Sequence, residues 1–296
     1  MSGPTLVQVA VPMRLGSISG GRFDLAPAAI RDALHRFVAH GRGEPDRLME
    51  LGIRVEMHED IDAVASLTPG DAFSKIRAHV GLAIEDNVGR IQPDRAVLVL
   101  GGDNSITRPA VHAVAGHTDL SRTGLLTLDA HHDLRPLKGG LTNGNPIRAL
   151  LEDGLPGRNV VQIGINPMAN SPAHARVAGG AGITVVTADE VRRRGAAEVA
   201  AYALEDLSRR ADAIHVDLDV DVLDRAFAPA CPGSRPGGLT PDEVQAAARA
   251  AGAHPKVRAI DVVEVDPERD VADVTVLAAA SFVLAFASGL ASRTAE

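Results

Sequence analysis

Eight short apolar runs, rich in β-branched residues and leucine, recur along this 296-residue chain, and helical patterns lie between most of them. The runs cover residues 5–11, 52–57, 95–100, 123–128, 159–165, 183–187, 213–220 and 257–263. Strands that alternate with helices predict a parallel sheet covered by helices. Strands buried on both faces need not alternate polar with apolar residues, so the nearly continuous apolar character of these runs favours the same arrangement. We therefore expect an α/β fold.

The segments between the runs contain no gap of linker length, no repeat and no low-complexity tract, so we predict a single domain over residues 1–296. Residues 274–292 carry no charge, and by length they could span a bilayer. This stretch is nevertheless rich in alanine, serine, threonine and glycine, and it follows the acidic segment 265–273. We predict a buried helix that closes the core.

The composition excludes several classes of protein. The net charge is −8 and the basic residues are scattered, which argues against nucleic-acid binding. Residues 1–13 have no basic region before their apolar run, so we expect no signal peptide. Cys231 is the single cysteine, which rules out an intrachain disulfide and indicates a reducing compartment. We expect a cytoplasmic protein that contacts neither nucleic acid nor membrane.

Polar residues follow four of the predicted strands at the point where each strand ends. These ends read GGDNS (101–105), DAHHD (129–133), DLDVD (217–221) and EVDP (264–267). In an open α/β sheet, ligands bind beyond the carboxyl ends of the strands. We expect the functional site where these four ends meet.

The second of these ends has the spacing of a metal site. Residues two apart in an extended segment point the same way, so Asp129, His131 and Asp133 can converge on one side. Mixed carboxylate and imidazole ligands suit Mn²⁺ or a similar divalent cation. A strand end with solvated acids and a capping aspartate is the alternative for this stretch alone.

The third end places Asp217, Asp219 and Asp221 two residues apart within an otherwise apolar strand. Carboxylates on one face of a buried strand repel one another and are tolerated only where cations neutralise them. A solvated edge strand could also carry them, but the apolar residues between them favour an interior strand. Because the two stretches supply at least four carboxylates and a histidine, we expect two metal ions, which can share a water molecule and convert it to hydroxide.

The four polar segments, in this order and spacing, resemble the four signatures of the ureohydrolase family, which comprises arginase, agmatinase and formimidoylglutamase. The segments are GGDNSIT (101–107), DAHHDLR (129–135), DVDVLDRAFAPACPGSRPGGLT (219–240) and EVDP (264–267). Residues 11–31 resemble the opening segment of the family, so the likeness covers nearly the whole chain. The resemblance implies an arginase-like three-layer αβα sandwich with an eight-stranded, mostly parallel sheet, two Mn²⁺ ions per subunit, and assembly into homo-oligomers, either trimers or hexamers.

The resemblance also implies roles for individual residues. The implied metal ligands are Asp129, His131, Asp133, Asp219 and Asp221, with Asn104 at the position of a sixth. Asp133 would also carry a proton during catalysis, and Glu264 would hold the amidine or guanidine nitrogens of the substrate. Asp217 falls where many relatives have serine, which leaves open whether Asp217 or Asp221 completes the carboxylate pair with Asp219.

Asn104 departs from the pattern of most of the family. Arginases and agmatinases have histidine at this position, where it ligates one metal ion, and formimidoylglutamases tolerate asparagine more readily. An amide oxygen is a weaker donor than imidazole for Mn²⁺. Three outcomes stay open: Asn104 ligates and gives one tight and one weak site, the second site fills only at high metal concentration, or the enzyme is inactive.

Two arginines favour the formimidoylglutamase subgroup. Arg135 stands where arginase-like sequences have asparagine, and residues 141–154, which include Asn143 and Arg148, resemble a segment of that subgroup. N-formimidoyl-L-glutamate carries two carboxylates, which guanidinium groups bind through paired hydrogen bonds. We therefore expect Arg135, Asn143 and Arg148, together with Glu264, to contact the substrate. A surface salt bridge is the alternative role for each arginine.

The resemblance implies manganese-dependent hydrolysis of N-formimidoyl-L-glutamate to L-glutamate and formamide, a step of histidine degradation, by attack of a metal-bridging hydroxide. An agmatinase or a guanidino-acid hydrolase, which would release urea, is the alternative within the same chemistry. A metal-poor relative that serves as a binding or regulatory subunit is the alternative from a different class, and Asn104 is the one feature in its favour.

Overall fold

A computed structural model describes residues 3–37, 52–61, 67–86 and 89–293, and it contains one sheet of eight parallel strands. The strands are β1 (Thr5–Ala10), β2 (Arg54–Met57), β3 (Arg95–Leu100), β4 (Thr123–Leu128), β5 (Val160–Ile165), β6 (Thr184–Thr187), β7 (Ala213–Asp219) and β8 (Val257–Val263). Each of the eight predicted runs forms one of them, so the predicted sheet is confirmed. The strand order is β2-β1-β3-β8-β7-β4-β5-β6.

The described helices alternate with these strands. They are α1 (Ala26–Leu34), α2 (Pro69–Ile84), α3 (Thr107–Ala115), α4 (Pro146–Asp153), α5 (Pro172–Ala181), α6 (Ala188–Arg194), α7 (Ala196–Ser208), α8 (Pro241–Ala253) and α9 (Val274–Leu290). Local sequence explains several of the helix starts. Thr240 and Glu243 form a reciprocal capping box at the start of α8, and proline fills an early position there, where its missing N–H costs nothing.

Helices cover both faces of the sheet, which gives the predicted three-layer αβα sandwich. Alternate residues of a strand enter different apolar clusters: Leu126 and Leu128 of β4 pack in the same cluster as α1, α7, α8 and α9, whereas Leu125 packs with α3 and α4. Val7 and Val9 of β1 pack in a third cluster with α2. The central strands are therefore buried on both faces, as their continuous apolar character predicted.

Helix α9 confirms the prediction for the uncharged C-terminal stretch. Most of its residues are buried, and it packs against α8 and α1. Among the described residues, no helix is both long and apolar enough to cross a membrane. The apolar composition of this segment therefore serves the core of the sandwich.

Two glycines set the distance between α8 and α9. A Cβ atom added at Gly252 would lie 2.0 Å from the carbonyl oxygen of Phe286, and one added at Gly289 would lie 2.0 Å from the carbonyl oxygen of Arg249. Because these obstacles are backbone atoms, a larger residue would force the two helices apart.

We expect Gly252→Ala to lower the free energy of unfolding by about 1–3 kcal/mol, the usual cost of overpacking a core. Gly81→Ala is the matched control, since Gly81 lies within α2 and nothing stands within 4 Å of its added Cβ. That change should stabilise the protein by about 0.5–1 kcal/mol, because alanine favours helix more than glycine does. Urea unfolding of both variants measures the difference, and equal effects would contradict the close approach of the helices.

Candidate metal centre

The four polar strand ends follow β3, β4, β7 and β8, which are adjacent in the sheet in the order β3-β8-β7-β4. All strands run parallel, so these four carboxyl ends open at the same edge of the sheet. The topology therefore brings together acids that are far apart in sequence. This edge is where an α/β sheet binds its ligands.

Asp221 lies at the centre of the resulting cluster. One ligand atom from each of Asp129, His131 and Asp221 falls within 4.8 Å of the others, and the same holds for Asp219, Asp221 and Cys231. His131 Nδ1 is 2.7 Å from Asp221 Oδ2 and 3.6 Å from Asp129 Oδ1. Asp221 is thus shared by two groups of potential metal ligands.

The acids of this cluster are buried, and burial together with neighbouring negative charge opposes the ionisation of most of them. Burial, with a further contribution from the charge of Asp221, raises the pKa of Asp129 to about 7. Burial likewise raises the pKa values of Asp133 and Asp219 well above the usual range, and neighbouring carboxylates add to the effect. Among the described residues, Asp129 Oδ2 has no hydrogen-bond partner.

His131 supplies the positive charge that keeps one of these acids ionised. The charge of Asp221 raises the pKa of His131 to about 12, against the opposing effect of burial. Burial also opposes ionisation of Asp221, but the charge and hydrogen bond of His131 outweigh it and hold the pKa of Asp221 below its usual range. A divalent cation could take over this neutralising role from the histidine proton.

The donor set fits a divalent cation such as Mn²⁺. Crowded buried carboxylates are stable only when positive charge neutralises them. The imidazole of His131 lies among these carboxylates, and Asp129 Oδ2 has no hydrogen-bond partner among the described residues. This mixture of oxygen and nitrogen donors suits Mn²⁺. The geometry therefore brings together Asp129, His131, Asp219 and Asp221, as predicted, although their role as ligands stays a prediction.

Two of the predicted catalytic residues have unusual backbone conformations. Asp133 has a φ of 52° and Glu264 a φ of 69°, and Ala272 and Asp273 are the other described non-glycine residues with positive φ. Such conformations cost about 1–3 kcal/mol each and cluster at functional sites. Glu264 directly follows the end of β8 and Asp133 lies in the loop after β4, and both residues line the same cavity.

Glu264 is held by two nitrogen donors. Its Oε1 atom accepts hydrogen bonds from the backbone N–H of Asn104 at 2.7 Å and from Asn143 Nδ2 at 2.9 Å. Asn143 also accepts a hydrogen bond from the backbone N–H of Ile18, so it links Glu264 to the loop around residue 18. Burial, reinforced by the charge of Asp103, raises the pKa of Glu264 to about 8.

The amide of Asn104 presents its nitrogen, not its oxygen, to the carboxylates. Nδ2 donates to Asp133 Oδ2 at 2.7 Å and to Asp219 Oδ2 at 3.2 Å. Oδ1 accepts a hydrogen bond from Thr107 Oγ1 at 2.6 Å, on the side away from the cluster. Ligation through the amide oxygen would therefore require the amide to turn over.

Asp217 lies behind the site rather than in it. Its Oδ1 atom is 3.5 Å from Thr107 Oγ1, which also approaches Asp261 Oδ2 at 3.1 Å. Burial and the charge of Asp261 raise the pKa of Asp217 well above its usual range. This placement favours Asp221, not Asp217, as the carboxylate that acts together with Asp219.

Cys231 lies closer to this cluster than its sequence position suggests. Its sulfur is near the carboxylates of Asp219 and Asp221, and the residue is fully buried. Burial, with those two negative charges, raises the pKa of the Cys231 thiol well above its usual range. The thiol is therefore neutral and packs beside the site as a small buried side chain.

A cavity joins the acidic cluster to the surface. Its acidic floor is formed by Asp133, Asp219, Asp221 and Glu264, and its lining also includes His131, Asn143, Arg135 and Arg235. Arg135 has no hydrogen bond or ion pair with any described side chain, and it packs on Gly144, where an added Cβ would lie 2.7 Å from Arg135 Cδ. The cavity thus combines a negative floor with positive groups.

The structure separates the predicted substrate-binding residues into two groups. Asn143 and Arg135 line the cavity, as expected. Arg148 lies on α4, where its Nε is 2.9 Å from Glu152 Oε1, and it is not among the residues that line the cavity. Arg148 therefore has the surface salt bridge that was its alternative role. Arg235 was not predicted to line the site. Its position in the loop that follows Asp219 and Asp221 could have indicated that it lies near them.

Comparison with known proteins agrees with this geometry. The sequence profile of the arginase family matches residues 5–288. The chain belongs to the arginase family. The parallel sheet agrees with the fold of this family. The four polar strand ends belong to the four segments whose sequences resemble the signatures of the family.

Individual relatives within the arginase family are similar over nearly the whole chain. The formimidoylglutamase of Halalkalibacterium halodurans is 35% identical over 290 residues, which are 95% of this chain and 86% of that protein. The formimidoylglutamase of Bacillus subtilis is 35% identical over 98% of this chain and 88% of its own length. The crystal structure of the Bacillus subtilis enzyme has a TM-score of 0.84 and covers 99% of this chain and 88% of its own. The proclavaminate amidinohydrolase of Streptomyces clavuligerus is 36% identical over 71% of this chain and 65% of its own length.

Proposed function

We propose that this chain hydrolyses N-formimidoyl-L-glutamate to L-glutamate and formamide at a centre that holds Mn²⁺. The observation that carries the proposal is the division of charge within one cavity, with carboxylates at the floor and, in its lining, Arg135, which pairs with no side chain that the structure describes. The substrate matches it, because one small molecule carries a cationic amidine, an α-carboxylate on the carbon next to the amidine nitrogen, and a γ-carboxylate at the far end. The similarity to two formimidoylglutamases supports the same substrate.

We assign the metal ions to the acidic cluster. The residues that would hold them are Asp129, His131, Asp133, Asp219 and Asp221. Divalent cations bound there supply Lewis acidity, which activates water at neutral pH and stabilises negative charge in the transition state.

Glu264 is suited to bind the amidine. Its Oε1 atom is fixed by Asn104 and Asn143, so the carboxylate has a defined direction before the substrate arrives. An amidinium offers two N–H groups, which a carboxylate binds through charge-assisted hydrogen bonds. A positive group beside Glu264 also favours its ionised form, which reverses the effect of burial on its pKa.

Asp133 is suited to move a proton. Its Oδ2 atom accepts a hydrogen bond from Asn104, and the carboxylate lines the cavity beside Glu264. Burial and the charge of Asp129 raise its pKa well above the usual range, which favours transfer of a proton from the attacking water to this carboxylate. We assign to Asp133 the delivery of that proton to the departing glutamate nitrogen.

Product analysis with added Mn²⁺ tests the proposal. The purified chain is assayed with N-formimidoyl-L-glutamate, agmatine, arginine and 4-guanidinobutyrate, and formamide and urea are measured separately. Formamide from the first substrate is the expected result. Urea from any of the others would favour the guanidino-acid alternative, which the similarity to proclavaminate amidinohydrolase makes worth testing. A chain inactive at every Mn²⁺ concentration would favour a non-catalytic role.

Asn104→His is expected to tighten Mn²⁺ binding by about tenfold, or about 1.4 kcal/mol. Imidazole is a better donor than an amide, and the variant no longer needs the amide to turn away from Thr107. Titration calorimetry with Mn²⁺ measures the change, with Asn104→Ala as the control that removes the amide without adding a ligand. Identical Mn²⁺ affinity for the histidine variant and the parent would show that residue 104 does not contact a metal ion.

A further inference from the structure

Arg235 lines the cavity, although the sequence analysis assigned it no role. It shares the cavity with Asp219, Asp221 and Glu264, whereas Arg148, the expected partner of Arg135, lies outside. The substrate carries two carboxylates, and Arg135 can account for only one of them. We infer that Arg235 binds the second substrate carboxylate and thereby selects dicarboxylate substrates, an inference that rests on the proposed function.

The loop that carries Arg235 is fixed directly against a predicted metal ligand. A Cβ atom added at Gly233 would lie 2.2 Å from Asp221 Oδ2, so only glycine allows the loop to pass this close. The buried hydroxyl of Ser234 donates towards the carbonyl oxygens of Ala228, at 2.9 Å, and Cys231, at 2.8 Å. The position of Arg235 relative to the acidic floor is therefore determined by tight backbone packing.

A second set of contacts fixes the far side of the same loop. The carboxylate of Asp224 accepts hydrogen bonds from the backbone N–H groups of Ala226 at 2.9 Å and Gly237 at 2.7 Å. The backbone N–H of Arg225 donates to the carbonyl oxygen of Arg235 at 3.2 Å. Both ends of the loop are thus anchored, and the arginine is presented without the entropy cost of ordering a free loop.

The guanidinium of Arg235 retains one edge for a ligand. Its Nη1 atom is 2.9 Å from each of three carbonyl oxygens, those of Pro232, Gly233 and Ser234. No described carboxylate pairs with this side chain, in contrast to Arg108, whose Nε and Nη2 both bind Asp153. The Nε and Nη2 atoms of Arg235 therefore offer the paired donors that a carboxylate accepts.

The charge of the substrate explains why the cavity needs Arg235 in addition to Arg135. A dicarboxylate substrate brings two negative charges into a cavity in which Glu264 is assigned to the cationic amidine, so each substrate carboxylate needs a positive group of its own. Arg135 and Arg235 provide two such groups, one from the loop after β4 and one from the loop after β7. Each can neutralise one carboxylate while the amidine points towards Glu264.

Substrate truncation tests the inference. Arg235→Gln is assayed with N-formimidoyl-L-glutamate and with two analogues, N-formimidoyl-4-aminobutyrate and N-formimidoyl-2-aminobutyrate, each of which lacks one carboxylate. We expect KM for the dicarboxylate to rise by about 10- to 100-fold with little change in kcat, as for the loss of a charge-assisted hydrogen bond. The rise should persist with one analogue and disappear with the other. Arg235→Lys, which keeps the charge but not the paired donors, should give an intermediate KM.

A matched control separates binding from loop stability. Arg192 Nη2 donates to the carbonyl oxygens of Gly237 and Gly238, so it supports the same loop from outside the cavity. We expect Arg192→Gln to leave the ratio of KM values among the three substrates unchanged. An equal rise in KM for all three substrates with Arg235→Gln, or no rise, would overturn the inference. Absence of formamide from the unsubstituted protein would instead contradict the proposed function itself.

Discussion

Asp221→Asn is expected to lower kcat by on the order of 10³-fold or more and to remove most of the bound Mn²⁺. Asp221 belongs to both groups of potential ligands, and its charge holds His131 in place at 2.7 Å. Asparagine keeps the shape but removes the charge that a cation needs. Loss of a metal ion removes several kcal/mol of transition-state stabilisation. Because each 1.36 kcal/mol changes the rate by a factor of ten, kcat should fall by the stated amount. Metal content per chain after gel filtration, together with kcat at saturating Mn²⁺, measures both effects.

Asp224→Asn is the control for this variant, because it makes the same chemical change three residues later. Asp224 accepts hydrogen bonds from two backbone N–H groups of its loop and is not among the cavity-lining residues. Asparagine keeps only one acceptor oxygen for these two bonds, but residue 224 stays outside the cavity, so Mn²⁺ content should stay close to that of the parent. If the Asp221 and Asp224 variants retained the same metal content, the assignment of Asp221 as a ligand would be wrong.

Glu264→Gln is expected to lower kcat/KM by about 10²–10³-fold, the scale of losing a preorganised electrostatic contact in an active site. Glutamine can still accept the hydrogen bonds from Asn104 and Asn143, so the loop should keep its position. It cannot attract a cationic amidine. Steady-state kinetics with N-formimidoyl-L-glutamate measures the loss, and Mn²⁺ content should be unchanged. Kinetics like those of the parent would show that Glu264 does not hold the amidine.

The same variant should make the metal-free protein more stable at high pH. Burial raises the pKa of Glu264 to about 8 in the folded protein from an ordinary value of 4.5, so folding favours its protonated form. This contribution to stability is fully present below pH 4.5 and is lost as the pH rises through 8. Because glutamine does not ionise, melting temperatures in EDTA should fall less between pH 5 and 9 in the variant. Parallel pH profiles would contradict the raised pKa.

The sequence predicted the sheet and its acidic edge because both depend on local patterns. Runs buried on two faces are continuous and apolar, and all eight became strands. The convergence of the four polar ends follows from parallel strands, although the adjacency of β3, β8, β7 and β4 could not be read from spacing alone. The left-handed backbone at Asp133 and Glu264 was equally invisible, since it is imposed by the tertiary structure around those residues.

Arg148 and Arg235 differ in how far the local sequence determines their contacts. Arg148 and Glu152 are four residues apart on a helix, a spacing that itself indicates an ion pair. Arg235 depends on a loop that returns to the cavity through a close contact of Gly233 with Asp221, which no short-range pattern specifies. The orientation of the Asn104 amide likewise depends on Thr107, which holds its oxygen on the far side of the cluster.

We propose that the acids at the ends of β4 and β7 lie close together because divalent cations neutralise them. A crystal of the purified chain grown with Mn²⁺ and measured at the manganese absorption edge tests this directly. We expect strong anomalous density between the carboxylates of Asp129, Asp133, Asp219 and Asp221. Anomalous density only at surface acids, with these four side chains turned apart or bonded to one another, would contradict it.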